Sequence, residues 1–70
     1  MQRYSVTLHG HRTSVSLEQE FWVVLKQAAE QQGLSVAGLI QRIDDERLNS
    51  GLPSGLSSAL RIYLLKYLQK

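Results

Sequence analysis

A short stretch of alternating residues, followed at once by two helical segments, constrains this chain more than any other feature. In the segment RTSVSL, Thr13, Val15 and Leu17 alternate with polar residues. Because strand side chains point to opposite faces with period 2, we predict a strand over about residues 12–17 with one apolar and one polar face. A strand this short is not stable alone in water, because it needs further strands or a packed helix beside it. It therefore requires a second strand as its pairing partner. We expect the partner to be the same strand of a second copy.

Two helices are predicted directly after this strand. The first, over about residues 18–32, carries apolar residues at helical spacing, namely Phe21, Trp22, Leu25, Ala28 and Ala29. Gly33 is suited to end this helix in the left-handed conformation, and Ser35 is suited to cap the next one. The second helix is predicted over about residues 36–48.

Three local features of these helices carry structural expectations. Ser16 and Gln19 have the spacing of a capping box at the start of the first helix. Gly38 is less favourable than Ala inside a helix by about 1 kcal/mol, which indicates close packing against another backbone. The acidic run at residues 44–46 points in several directions on a helix, so we interpret it as a solvated face that pairs with neighbouring arginines.

The residues from Arg12 to about Arg47, roughly half of the chain, resemble the ribbon-helix-helix family of dimeric DNA-binding proteins (the Arc/MetJ/CopG type). The resemblance is carried by the alternating RTSVSL strand, the apolar rhythm of the first helix, and the G-L-S corner followed by V-A-G-L-I. It implies an α+β homodimer in which two copies form an intermolecular antiparallel β-ribbon. The tail LSSALRIYLLKYL is similar to that of a bacterial subgroup with an extra C-terminal helix.

The N-terminal residues predict an additional strand over about residues 3–8, since Tyr4, Val6 and Leu8 alternate with polar residues. Its apolar residues are even-numbered, whereas those of the next strand are odd-numbered, so the phase must shift between them. A two-residue His9-Gly10 turn would do this and would put all apolar residues on one face of a hairpin. A Gly10 bulge within one bent strand is the alternative.

The C-terminal part predicts a surface loop over about residues 49–56 and a third helix over about residues 57–69. Its apolar stripe consists of Leu56, Leu60, Tyr63, Leu64, Tyr67 and Leu68. Ile62 and Leu65 lie outside that stripe, so the helix is apolar on nearly all sides. We interpret it as an element of the dimer, because such a helix is buried on nearly all sides.

Length and composition favour one small domain, residues 1–70, that is stabilised by association. A core of this size supplies only about 3–5 kcal/mol without further support. The chain has no cysteine for disulfides or thiolate metal sites, yet 43% of its residues are hydrophobic. No apolar run reaches the length of a membrane span, and the N-terminus lacks the apolar region of a signal peptide. We therefore expect a cytoplasmic homodimer with no membrane association.

The predicted function is sequence-specific binding of double-stranded DNA by a transcriptional regulator. The resemblance implies that Arg12, Ser14 and Ser16 contact bases, since arginine and serine side chains can read base edges in the major groove. The start of the second helix, at Ser35, Val36 and Ala37, would hold a phosphate through its free N–H groups. Dimers could assemble further on DNA. The alternative is a dimeric protein-interaction module, antitoxin-like or structural, that does not read DNA.

A hairpin in each subunit raises a question of width. If both subunits contribute two strands, the sheet has four strands at about 4.8 Å per step. The major groove is about 12 Å wide and admits a two-stranded ribbon, so a flat sheet of four would be too wide. Either the N-terminal segment folds away, or this chain does not insert into the groove in that manner.

Catalytic and metal sites have little support in the sequence. The chain has no cysteine, and no serine has an evident histidine and acid beside it, so we expect no enzyme activity and no cofactor. His9 and His11 are suitable ligands for nickel, copper or zinc, but two ligands are too few without a second copy. A metal-responsive variant is therefore the third hypothesis, and no metal site is assigned.

Overall fold

The fold is an antiparallel β-hairpin followed by three helices. A computed structural model describes residues 2–51 and 55–69, and these residues form the predicted α+β arrangement; the homodimer and its intermolecular ribbon stay predictions. We predicted a loop at about residues 49–56. Residues 49–50 belong to the second helix, and residues 52–54 lie outside the described residues. The elements are β1 (Gln2–Leu8), β2 (His11–Leu17), α1 (Gln19–Gln31), α2 (Val36–Ser50) and α3 (Leu56–Leu68).

The hairpin turns at His9-Gly10. Both residues have positive φ, 53° at His9 and 78° at Gly10, as a two-residue turn between twisted strands requires. Leu8 therefore pairs with His11, and the register continues to Gln2 opposite Leu17. The hairpin, and not the bulged strand, is confirmed.

The strand partner of β2 within one chain is β1. In the described residues the sheet has two strands, so β2 keeps a second edge without a strand beside it. The apolar side chains of both strands share the inner face, where Val6, Leu8, Val15 and Leu17 are buried. The phase shift at the turn thus produces one continuous apolar face.

The core lies between this inner face and the three helices. Its helical members are Leu25, Ala28, Ala29, Leu39, Ile40, Ile43, Leu60 and Leu64. The last two show that α3 packs into the core of its own chain, against α1, α2 and β2. Ile62 and Leu65, which lie outside the apolar stripe of α3, are 51% and 52% exposed.

The start of α2 and the left-handed Gly33 after α1, with φ 69°, agree with the sequence, whereas the start of α1 differs from it. The Ser35 side chain caps α2 by accepting a hydrogen bond from Gly38 N at 3.0 Å. The prediction that Gly38 packs closely against another backbone is wrong. A Cβ on Gly38 would lie 3.1 Å from Ser35 Oγ, so its close neighbour is the capping hydroxyl. The capping box of Ser16 and Gln19 is wrong, because Glu18 is the N-cap of α1 and no side chain caps it.

The acidic run on α2 is not a simple solvated face. Asp44 is buried and accepts hydrogen bonds from Arg47 at 2.7 and 3.1 Å. Asp45 pairs with His9 of the hairpin turn. The run points in different directions, as expected, but two of its three carboxylates hold structural contacts.

Candidate nucleic-acid interface

The outer face of the hairpin carries the predicted base-contacting residues. Arg12 and Ser14 are exposed and Ser16 is half-buried. Arg3, Ser5 and Thr7 of β1 lie on the same face and are exposed as well, since cross-strand partners share a face. We call this surface the outer ribbon face; its members are Arg3, Ser5, Thr7, Arg12, Ser14 and Ser16.

The register arranges the outer ribbon face in three cross-strand pairs. These are Thr7 opposite Arg12 nearest the turn, then Ser5 opposite Ser14, then Arg3 opposite Ser16. A strand rises about 3.3 Å per residue, so the strip from the first pair to the last is roughly 13 Å long. One arginine stands at each end of the strip, on different strands, with hydroxyl groups between them.

The electrostatics of this surface favour an anionic partner. Residues 2–17 include no Asp or Glu, whereas Arg3 and Arg12 contribute two positive charges. Two carboxylates elsewhere, those of Glu18 and Asp44, are held in ion pairs with arginines, and the Asp45 carboxylate lies 2.9 Å from His9 Nε2. Among the described residues, no ion pair involves Arg3 or Arg12. Both guanidinium groups therefore have donors to offer a phosphate or a base edge.

The hairpin turn is tied to α2. His9 N donates a hydrogen bond to the Gln41 side chain at 3.0 Å, and His9 Nε2 lies 2.9 Å from Asp45 Oδ1. Gln41 and Asp45 are four residues apart, so they face the turn from the same side of α2. These contacts hold the tip of the ribbon against the helical body.

The other end of the hairpin is held by Arg61 of α3 and by an aromatic stack. The guanidinium group donates to the Glu18 carboxylate at 2.9 and 3.2 Å, directly after the last residue of β2. The hydrogen bonds from Arg61, followed by a backbone hydrogen bond, lower the pKa of Glu18 below its ordinary value of 4.5. Trp22 stacks on Tyr4 of β1, with ring centroids 3.8 Å apart.

The predicted phosphate-binding residues lie in a separate element, at the start of α2. Ser35 is exposed, and Val36 and Ala37 are half-buried. Ser35 Oγ satisfies Gly38 N, while the N–H groups of the first helical residues have no partner within the helix. The first turn of α2 carries no acidic side chain, so nothing there neutralises the positive end of the helix dipole.

The metal hypothesis gains no support from the geometry. In residues 2–51 and 55–69 there is no group of three or more side chains that could hold a metal ion. His9 Nε2 already contacts the Asp45 carboxylate.

In residues 2–51 and 55–69, none of the helices has both the length and the apolar character that crossing a membrane requires.

Sequence reasoning did not assign three residues of the outer ribbon face, namely Arg3, Ser5 and Thr7. The family resemblance starts at Arg12, so it carried no role to β1. The signal was nevertheless present, because a two-residue turn at His9-Gly10 fixes the register that places Thr7 opposite Arg12 and Ser5 opposite Ser14.

Comparison with known proteins identifies the family. A family model described as a ribbon-helix-helix domain matches residues 1–68. The chain is also similar to the solved structure of an uncharacterized protein from Bordetella pertussis Tohama I, with a TM-score of 0.82 and 43% sequence identity. The match covers 96% of this chain and 54% of that one, so the chain spans about half of that protein's length. The comparison with curated proteins found no match. Because the family model covers nearly all of its residues, the chain belongs to the ribbon-helix-helix family.

Proposed function

We propose that this protein binds double-stranded DNA with sequence preference and acts as a homodimeric transcriptional regulator. Ribbon-helix-helix domains generally bind DNA, as transcription regulators or antitoxins, and their fold is non-enzymatic. The observation that carries the proposal for this chain is the outer ribbon face, which is exposed, polar and free of carboxylates. DNA-binding members are usually cytoplasmic, and the proposal places this protein there too.

The proposed roles follow from the donor and acceptor groups of each side chain. Arg12 donates two hydrogen bonds to the edge of a guanine, and the hydroxyl groups of Ser14 and Ser16 serve as donors or acceptors toward neighbouring bases. The N–H groups at Ser35, Val36 and Ala37 hold a backbone phosphate. Such a phosphate contact fixes the position of the protein on the duplex but carries no sequence information.

The dimer is part of the proposal. Ribbon-helix-helix proteins typically dimerise. The intermolecular ribbon predicted from the sequence would use the second edge of β2, because β1 occupies the first. Higher-order assembly on DNA would add contacts between neighbouring dimers.

A dimeric protein-interaction module, antitoxin-like or structural, is the second candidate. It is favoured by one observation, the exposed apolar side chains on α3. Ile62, Leu65 and Leu68 are 51%, 52% and 58% exposed, although Leu60 and Leu64 of the same helix are buried in the core. In this alternative the outer ribbon face would be an ordinary solvated surface.

Fluorescence anisotropy with labelled random-sequence duplex and with genomic fragments tests the proposal. We expect affinity to fall steeply with salt concentration, since arginines that neutralise phosphates release counterions. Arg12→Ala should weaken binding to a preferred fragment by roughly 5- to 150-fold, the range for loss of one bidentate base contact. Lys26→Ala is the matched control, because Lys26 is exposed on α1 and its loss removes the same charge.

Two results would contradict this function. A wild-type dimer without measurable affinity for any duplex at low salt would favour the interaction module. Equal affinity and sequence preference of Arg12→Ala and Lys26→Ala would exclude direct base contact by Arg12.

A further inference from the structure

We propose that β1 contacts the DNA backbone on either side of the ribbon that β2 forms between two chains, and that Arg3, Ser5 and Thr7 bind phosphate groups there. This inference rests on the proposed function and adds a contact surface to it. The base contacts stay with β2, and β1 has a separate role as the strand that borders the ribbon.

The contacts of β1 make it a fixed part of the sheet. Its inner side chains Val6 and Leu8 are only 8% and 6% exposed, and Tyr4 stacks on Trp22 of α1. At the turn, His9 N donates a hydrogen bond to α2. Moving β1 away from β2 would expose apolar surface and break these contacts. The N-terminal segment therefore does not fold away, which is one of the two possibilities that the sequence leaves open.

A dimer joined through the second edge of β2 consequently has a four-stranded sheet, in which the two β2 strands are central. Adjacent strands are about 4.8 Å apart, so each β2 strand lies about 2.4 Å from the middle of the sheet and each β1 strand about 7.2 Å from it. The major groove is about 12 Å wide, so its walls lie about 6 Å from its centre. When the β2 strands are centred in the groove, the β1 strands lie over the sugar-phosphate backbones that form its walls.

The outer side chains of β1 are suited to these phosphate groups. Arg3, Ser5 and Thr7 are exposed on the outer ribbon face. The guanidinium group and both hydroxyl groups can donate hydrogen bonds to phosphate oxygens. Arg3 forms no ion pair within the described residues, and residues 2–17 contain no carboxylate that would repel the DNA backbone. An anion bound here thus meets donors and one full positive charge from each chain.

Phosphate contacts and base contacts differ in two measurable ways. A phosphate contact positions the protein on the duplex but carries no sequence information, so its loss weakens binding to every sequence alike. A side chain that neutralises a phosphate also releases counterions, which contributes about 0.9 to the slope of log affinity against log salt concentration. A dimer has two copies of Arg3, so loss of both should reduce this slope by about 1.8.

Fluorescence anisotropy with a preferred fragment and with random-sequence duplex, at salt concentrations between about 50 and 200 mM, tests this inference. The proteins compared are the wild type, Arg3→Ala, Arg3→Lys, Arg12→Ala and the control Lys26→Ala, each checked for folding by circular dichroism. We expect Arg3→Ala to weaken binding to both duplexes by the same factor. That factor should rise roughly 12-fold from the highest to the lowest salt concentration, because about 1.8 of the slope is lost. Arg3→Lys keeps the charge and should keep the salt slope of the wild type.

The outcomes separate this inference from the proposed function. If Arg12→Ala weakens binding while Arg3→Ala behaves like Lys26→Ala, β1 does not contact the duplex, and the inference fails while the proposed function stands. If Arg3→Ala changes the base preference or leaves the salt slope unaltered, Arg3 does not act on phosphates, and again only the inference fails. A wild type without measurable affinity for any duplex at low salt overturns the proposed function and this inference with it.

Discussion

The Glu18–Arg61 ion pair is the residue-level contact with the clearest pH dependence. Arg61 lowers the pKa of Glu18 below 4.5, so the carboxylate binds its proton less readily in the folded chain than in the unfolded one. Stability from this pair is therefore fully present above pH 4.5 and is lost as pH falls through the lowered pKa.

We expect Glu18→Gln to be less stable than the wild type at pH 7, with a difference that shrinks as the pH falls below 4.5. Urea denaturation of both proteins between pH 7 and pH 3 measures this difference. Glu30→Gln is the control, because Glu30 is exposed on α1 and forms no ion pair within the described residues. A difference that stays constant down to pH 3 would show that the pair does not act through its charge.

Single residues also mark the limit of what the sequence predicts. The cap at Ser35 was predictable, since the hydroxyl acts on an N–H only three residues away. The pairing of Asp44 with Arg47, one turn further on, was also predictable, but the burial of Asp44 was not, because it depends on how α2 meets the other elements. His9 is a similar case, since its partner Asp45 is far away in sequence. Local hydrogen bonds follow from spacing, whereas long-range pairs require the packed fold.

At the scale of elements, α3 has one side in the core and one side exposed. Leu64 is 0% exposed and its neighbour Leu65 is 52% exposed, so the two leucines allow a matched comparison. We expect Leu64→Ala to lower the free energy of unfolding by about 2–5 kcal/mol, because it leaves a cavity. Leu65→Ala should change it by less than about 0.5 kcal/mol.

Chemical denaturation of the two variants at equal concentration measures this contrast, and analytical ultracentrifugation adds a second readout. A large loss of stability in Leu65→Ala that is accompanied by dissociation would place the exposed side of α3 in a dimer contact. Similar losses in both variants without dissociation would contradict the packing described for α3.

The hairpin turn gives the second prediction at this scale. Gly10 has φ +78° with no atom within 4 Å of the Cβ position, so a substitution there is opposed by backbone strain and not by a clash. We expect Gly10→Ala to destabilise the protein by roughly 1–2 kcal/mol, and Gly10→Asn to cost less because asparagine accepts positive φ more readily. Thermal unfolding of both variants checks the order, and equal losses would contradict a turn of this type.

The elements themselves were largely readable from the sequence. The shift in alternation at His9-Gly10 predicted a turn, and the register of the hairpin followed from requiring one apolar face. What the pattern could not decide was whether β2 pairs within its own chain or with a second copy. The alternation of apolar and polar residues identifies which face of a strand is buried, but it does not show which chain provides the neighbouring strand.

For the whole molecule, association is the expectation that remains to be measured. If folding and dimerisation are coupled, the unfolding temperature rises with protein concentration by mass action. We expect such a rise between micromolar and hundred-micromolar protein, together with the mass of two chains in sedimentation equilibrium. An unfolding temperature that is independent of concentration, with the mass of one chain, would show that the fold is stable by itself.

The contacts of His9 with α2 have a consequence for how a duplex would be chosen. If the protein binds DNA as proposed, the contacts of Gln41 and Asp45 with the tip of the hairpin oppose movement of that tip on association. Any mismatch in curvature or groove width then has to be absorbed by the nucleic acid, whose bending energy depends on its own sequence. Operators would consequently be distinguished by how readily they deform, at base pairs that no side chain touches.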